Sequence, residues 1–195
     1  MNGLAAWLGG EAKTVAFAIL SGVIAFLAKS LYDLWLARRK DKLDRLNQQL
    51  RLLYGPLYAM NRASGIAWKA FRSRVRPGGS FFRSEPPPTP EELEKWRYWM
   101  SKVFQPINEE MLSVLTKNAD LLVEDDLPPP LLLFCAHVVA YKVVLERWSR
   151  NDFSEHTSVL DYPTAEIVKY LEDSFRRLKA QQGRLLGTPR TVRSL

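Results

Sequence analysis

The sequence predicts an all-α protein: a single N-terminal transmembrane helix followed by a cytoplasmic helical bundle of about four main helices. Three observations carry this expectation. Residues 14–28 form an uncharged apolar run. Leucines then recur at alternating three- and four-residue steps from Leu43 onward, the spacing of a helix seam. No stretch alternates apolar and polar residues with the period of a strand, so helix packs on helix.

The apolar run, Thr14 to Ala28, is too short alone to cross a bilayer, which needs about 20 residues. Extended to Leu36 it spans about 34 Å of helix, against a hydrocarbon core of about 30 Å. The expected span is 14–37, after an N-terminal flank at 1–13. Lys29 and Asp33 interrupt the run. Either costs roughly 2.5–3.5 kcal/mol at a helix centre, but both lie past the centre, and the Leu, Ile, Phe and Val residues each return about 0.3–0.6 kcal/mol. Four residues apart, Lys29 and Asp33 can form an in-membrane pair on one helix face. Tyr32 and Trp35 fall where an interfacial aromatic belt would lie. Arg38, Arg39, Lys40 and Lys42 follow at once, while the other flank offers only Glu11 and Lys13. The positive-inside rule then puts the N-terminus outside and the rest of the chain in the cytoplasm. A cleaved signal peptide is not expected, because no basic leader precedes the apolar run.

Charge is segregated beyond that point. The whole chain has a net charge of +7, yet residues 38–84 carry twelve Lys and Arg against two Asp, and residues 85–173 carry eight bases against seventeen acids. The basic segment, 38–75, reads as a juxtamembrane helix. Arg38, Arg39, Lys40, Lys42 and Arg45 are placed to contact anionic lipid, each base near the surface contributing about 1 kcal/mol. Leu43, Leu46, Leu50, Leu53, Leu57 and Met60 form its seam, continued by Ala67 and Phe71. The seam packs either on later helices of the same chain or, as a coiled coil, on a second copy. Gly55-Pro56 is expected to kink the helix, since Pro56 lacks an N–H and its ring clashes with the preceding turn.

Residues 76–90 contain Pro77-Gly78-Gly79 and Pro86-Pro87-Pro88 and are expected to form a mobile or polyproline-like linker. An acidic helical body follows at 91–183. Thr89, Pro90 and Glu92 have the pattern of a capping box with proline at the first helical position. Leu93, Trp96, Met100, Val103 and Phe104 make one apolar face, extended past Pro106 by Ile107, Met111 and Leu115. Leu131 to Arg150 is apolar around much of its circumference and is expected to be the central helix. A loop at 151–162 precedes a last helix opened by Pro163, ending near Gly183. A basic tail, 184–195, closes the chain.

The chemistry is sparse. One cysteine excludes an intramolecular disulfide. Cys135 and His137 point to different sides of a helix and cannot share a metal. His137 reads as a core histidine touching Tyr141. Ser154, His156 and Asp161 have triad residue types without positioning. Glu124-Asp125-Asp126 reads as solvated charge and lacks a calcium-loop pattern. No phosphate-binding glycine loop occurs. No catalytic residue, metal or cofactor is therefore expected, nor an enzyme. Nucleic acid is not expected as a partner, because the body is acidic and no binding motif occurs.

The strings Leu53-Tyr-Gly-Pro-Leu-Tyr58, His137-Val-Val-Ala-Tyr141 with Trp148, and Leu178-Lys-Ala-Gln-Gln-Gly-Arg-Leu-Leu186 resemble those of small bacterial single-pass membrane proteins with a helical cytoplasmic domain, a family without characterised activity. The resemblance implies a bacterial inner-membrane setting and assigns no catalytic residue. The expected function is a membrane-anchored protein-interaction module, a scaffold, recruiter or sensor, with membrane lipid and an unidentified protein as partners and homo-oligomerisation as an option. The alternative is a membrane-perturbing effector of the stress or phage-defence type, acting through assembled transmembrane helices.

Overall fold

A computed structural model describes residues 2–187. Residues 188–195 of the basic tail, and the side chains of residues 1–14, Ala16 and Ala18, lie outside the described residues. Six α-helices follow in order: α1 (Asn2–Gln48), α2 (Gly55–Val75), α3 (Pro90–Trp99), α4 (Gln105–Lys117), α5 (Pro129–Ser149) and α6 (Thr164–Leu186). Two π-helical turns, Gln49–Tyr54 and Met100–Phe104, join α1 to α2 and α3 to α4, and a 3₁₀ turn spans Ala119–Leu121. Counted by continuous helical stretches, the chain has about four, and no strand occurs among the described residues. It divides into two compact units, one up to Asp44 and one from Arg45.

The first unit is a helix whose large apolar side chains are turned outward. Phe17 is 73% exposed, Phe26 68% and Leu31 67%. The second unit is the bundle. Within it α2 packs against α4 and α6, and α5 packs against the same two helices, which closes a four-membered ring. Leu53, Leu57, Met111, Leu115, Leu131, Phe134, Ile167 and Leu171 fill one core. An aromatic core adjoins it, with Phe71, Phe81, Trp96, Phe104, Tyr141 and Trp148.

Both π-helical turns sit immediately before an Xaa-Pro step, Gly55-Pro56 and Gln105-Pro106. A proline ring collides with the carbonyl four residues back. Adding one residue to the preceding turn moves that carbonyl aside and lets the helix run on. The Gly55 N–H accordingly donates to the Leu50 carbonyl, five residues back, and the Gln105 N–H to that of Met100. At position 55 a Cβ would run into the Leu50 carbonyl oxygen, so this turn requires glycine.

The 76–90 connection differs from the free linker expected. It is nonhelical, but side chains tie it to the bundle. Phe81 is 3% exposed and belongs to the aromatic core. The Arg76 guanidinium donates to Glu92 at 3.1 Å and to the Ser84 and Pro86 carbonyls. Arg72 donates to the carbonyls of Gly78 and Gly79, and its cation lies over the Trp68 and Phe81 rings. Both glycines have positive φ, which a side chain would strain. The Thr89–Glu92 capping box then starts α3, each residue bonding the other's backbone N–H. Proline and glycine content marks absence of helix; buried aromatics and arginine–carbonyl bonds hold this loop nonetheless.

Helix α5 also differs from the expected central helix. Leu131, Phe134, Val138, Tyr141 and Val144 are buried, but Leu132, Leu133, Val139 and Val143 are 50–58% exposed. Its apolar circumference is only half used inside the bundle.

Candidate functional site

The apolar first unit carries the residues foreseen for membrane contact. The large apolar side chains described between Val15 and Leu36 are exposed, and Lys29 and Asp33 lie exposed among them; the ion pairs of the described residues do not include this pair. Tyr32 stacks on Trp35, and the Arg39 cation sits 5.3 Å from the Trp35 ring centre. Arg38, Arg39, Lys40 and Lys42 are exposed. Two helical stretches are apolar and long enough to cross a membrane by length and composition, the one near the N-terminus and α5. Only the first has its apolar window entirely unburied.

Arg45 belongs to the bundle and has other work. Its guanidinium donates to the Asp120 carbonyl at 2.8 Å, closing the 3₁₀ turn, and Gln49 donates to the Leu121 carbonyl at 2.9 Å. The foreseen seam is placed as follows. Leu46, Leu53 and Leu57 are buried in the core, Leu50 and Met60 pack partly buried against it, and Leu43 is half-buried. After the π-helical turn the buried positions are Leu57, Asn61 and Phe71, with Ser64 and Trp68 half-buried between them. Met60 and Ala67 pack partly buried against the cores, and Asn61 and Trp68 beside them widen this face.

Polar groups also lie inside. Asn61 is 5% exposed and Asn108, on α4, is 3% exposed. The Tyr162 hydroxyl donates to Asn61 Oδ1 at 3.3 Å. Asn108 Oδ1 is buried with no hydrogen-bond partner. An unsatisfied buried amide costs about 1–3 kcal/mol. His137 Nδ1–H donates to the Leu160 carbonyl at 2.6 Å, and the ring packs edge-on against Tyr162. Burial pushes the His137 pKa down; the Leu160 carbonyl and Asp161 offset this in part. The ring is therefore neutral near pH 7, with Nε2 the acceptor.

These three side chains line one cavity of about 520 Å³ whose walls mix aromatic rings with small polar side chains. Trp68, Phe81, Trp96 and Phe104 face it from α2, the 76–90 loop, α3 and the second π-helical turn. The 151–163 loop closes the far side and is held by aromatic donors. Trp96 Nε1–H and the Tyr141 hydroxyl both donate to the His156 carbonyl, at 2.8 and 2.9 Å, and Trp148 Nε1–H donates to that of Glu155. At the mouth Arg83 and Asp161 form an exposed ion pair at 2.7 Å. Sequence reading missed Asn61 and Asn108. The available signal was the run Phe104, Asn108, Met111, Leu115, in which an amide occupies a seam position.

Away from the cavity, Glu124 departs from the solvated charge expected. It is half-buried and accepts from Tyr170 at 3.0 Å, Tyr54 at 3.3 Å and Arg177 at 3.3 Å. Burial raises its carboxyl, but these bonds outweigh burial and leave the pKa below the ordinary value. Among the described residues no three side chains of His, Cys, Asp or Glu converge as a metal site would require.

No protein family, curated protein or solved structure matches this chain. What the protein does must be argued from its own residues: an all-helical chain with an outward-facing apolar helix and a bundle enclosing a polar-lined aromatic cavity.

Proposed function

We propose that the protein is a membrane-anchored interaction module at the cytoplasmic face of a bacterial inner membrane. The first helix is a single transmembrane span with its N-terminus outside, and the bundle from Arg45 onward recruits or senses a partner in the cytoplasm. One observation carries this reading: the large apolar side chains described between Val15 and Leu36 face outward, a far larger patch than soluble monomers tolerate. The basic collar Arg38-Arg39-Lys40 and Lys42 at one end supports the orientation. Arg45 stands apart from the collar because a carbonyl already engages its guanidinium.

Extraction of membranes at alkaline pH tests the anchor. The full-length chain should stay in the pellet and leave it only with detergent; release into the aqueous phase sinks the reading. Fusion reporters at the two termini test orientation, with cytoplasmic signal expected only at the C-terminus.

A second reading, a membrane-perturbing effector, draws on Ser21, Gly22, Ala25 and Ala28, small exposed residues that let helices approach in lipid, beside exposed Lys29 and Asp33. A membrane-potential dye separates the two. Depolarisation on expression, abolished by Gly22→Leu, favours the effector; unchanged potential favours the anchor.

A further inference from the structure

We infer that the cavity between α2, α4 and α5 binds an uncharged, planar heteroaromatic molecule of the nucleobase class, a free base or nucleoside. The inference goes beyond membrane anchoring and does not need it, because the whole cavity lies in the second unit. Its volume, about 520 Å³, is within the range of small-molecule sites.

Trp68, Phe81, Trp96 and Phe104 contribute rings to the walls, and aromatic rings pack favourably on a flat π system face-on or edge-on. The polar groups fix the rest of the chemistry. The Asn108 amide is 3% exposed, lines the cavity, and its Oδ1 has no protein partner. Asn61 commits its Oδ1 to Tyr162, which leaves the amide N–H groups for a guest. His137 commits Nδ1 to Leu160 and presents Nε2. Two carboxamides and an imidazole acceptor thus offer donors and acceptors side by side, the complement of the ring nitrogens, carbonyls and amino groups along a base edge. No charged side chain lies among these inner groups. Arg83 and Asp161, the charged pair at the mouth, neutralise each other. An ionic guest would be desolvated without compensation, so a neutral one is selected. An aliphatic guest would leave Asn108 and His137 unpaired.

The test uses the full-length chain in mild detergent. Purine and pyrimidine bases and nucleosides are titrated against tryptophan fluorescence and by calorimetry, with adenosine monophosphate and octanoate as charged and aliphatic controls. At least one base or nucleoside should bind saturably and quench Trp68 and Trp96, with its phosphorylated counterpart bound more weakly. Asn108→Leu, close to the same volume, should weaken binding by about tenfold, a hydrogen bond's worth, without lowering the melting temperature. If that variant does not fold, Ser64→Phe, which projects a ring into the cavity from a half-buried position, should abolish binding. No saturable binding by any base or nucleoside overturns the inference. So does octanoate or the monophosphate binding more tightly, or unchanged affinity in a folded Asn108→Leu or Ser64→Phe.

Discussion

Gly55 shows how much one hydrogen atom can decide. Glycine to alanine inside a helix ordinarily stabilises by about 0.5–1 kcal/mol. Here the new methyl group meets the Leu50 carbonyl oxygen, which the π-helical turn has moved toward position 55. Gly55→Ala should therefore destabilise, by about 1–3 kcal/mol as overpacked sites do, read as a lower urea midpoint with unchanged slope. A gain in stability would show that the turn relaxes to ordinary α-helix. His137 makes a second prediction. Its folded pKa lies below the ordinary 6.5. The unfolded chain therefore takes up more protons as pH falls through that value, and stability present above it is lost on the acid side. His156 is shifted the same way by burial and Arg97, so it adds to the slope. Glu124, with a depressed carboxyl pKa, contributes stability that is fully present above its ordinary 4.5 and is lost only as pH falls below it. Denaturation midpoints between pH 7 and the carboxylate range should fall, and His137→Gln should reduce that fall. At this scale the sequence was partly legible. His137 beside Tyr141 follows from helical spacing, and their rings do sit 5.5 Å apart. Asn108 was not, because an amide on an apolar face looks the same whether a neighbour or a cavity receives it.

Elements were legible where the signal is local. The capping box at Thr89 and Glu92 needs only three residues of separation, and both of its bonds form. The leucine seam was read through Leu57, where 3-and-4 spacing suffices. Beyond the π-helical turn Met60 and Ala67 pack against the cores and Phe71 is buried, but Asn61 and Trp68 join the same face, and hydrophobic periodicity did not mark them. The 76–90 connection failed for a different reason. Proline and glycine report backbone preference, whereas Phe81 is buried by helices distant in sequence. Phe81→Ala should cost about 3–5 kcal/mol, the range for buried phenylalanine; a cost near zero in thermal unfolding would restore the picture of a free linker. Arg76→Met should expose the same loop to limited proteolysis while α3 keeps its capping box, because Glu92 also bonds the Thr89 N–H at 2.8 Å.

For the molecule as a whole, the question is which solvent the first helix meets. Ile24 is 58% exposed and lies midway along the apolar stretch. Ile24→Arg adds roughly 2.5–3.5 kcal/mol to insertion at a helix centre. In a span already carrying Lys29 and Asp33, the protein should shift measurably from the alkaline-resistant membrane pellet to the soluble fraction. An unchanged distribution would mean that this helix does not anchor the chain. Helical class, the apolar stretch, the basic collar and the acidic body can all be read from residue order, because each depends on composition or on spacing within a few residues. Which apolar faces meet, where Glu124 finds its tyrosine and arginine partners, and that two asparagines and a histidine line one cavity depend on contacts between residues far apart in the chain. Such contacts are set by how four helices close into a ring. Local spacing carries no record of which distant residues that closure brings together.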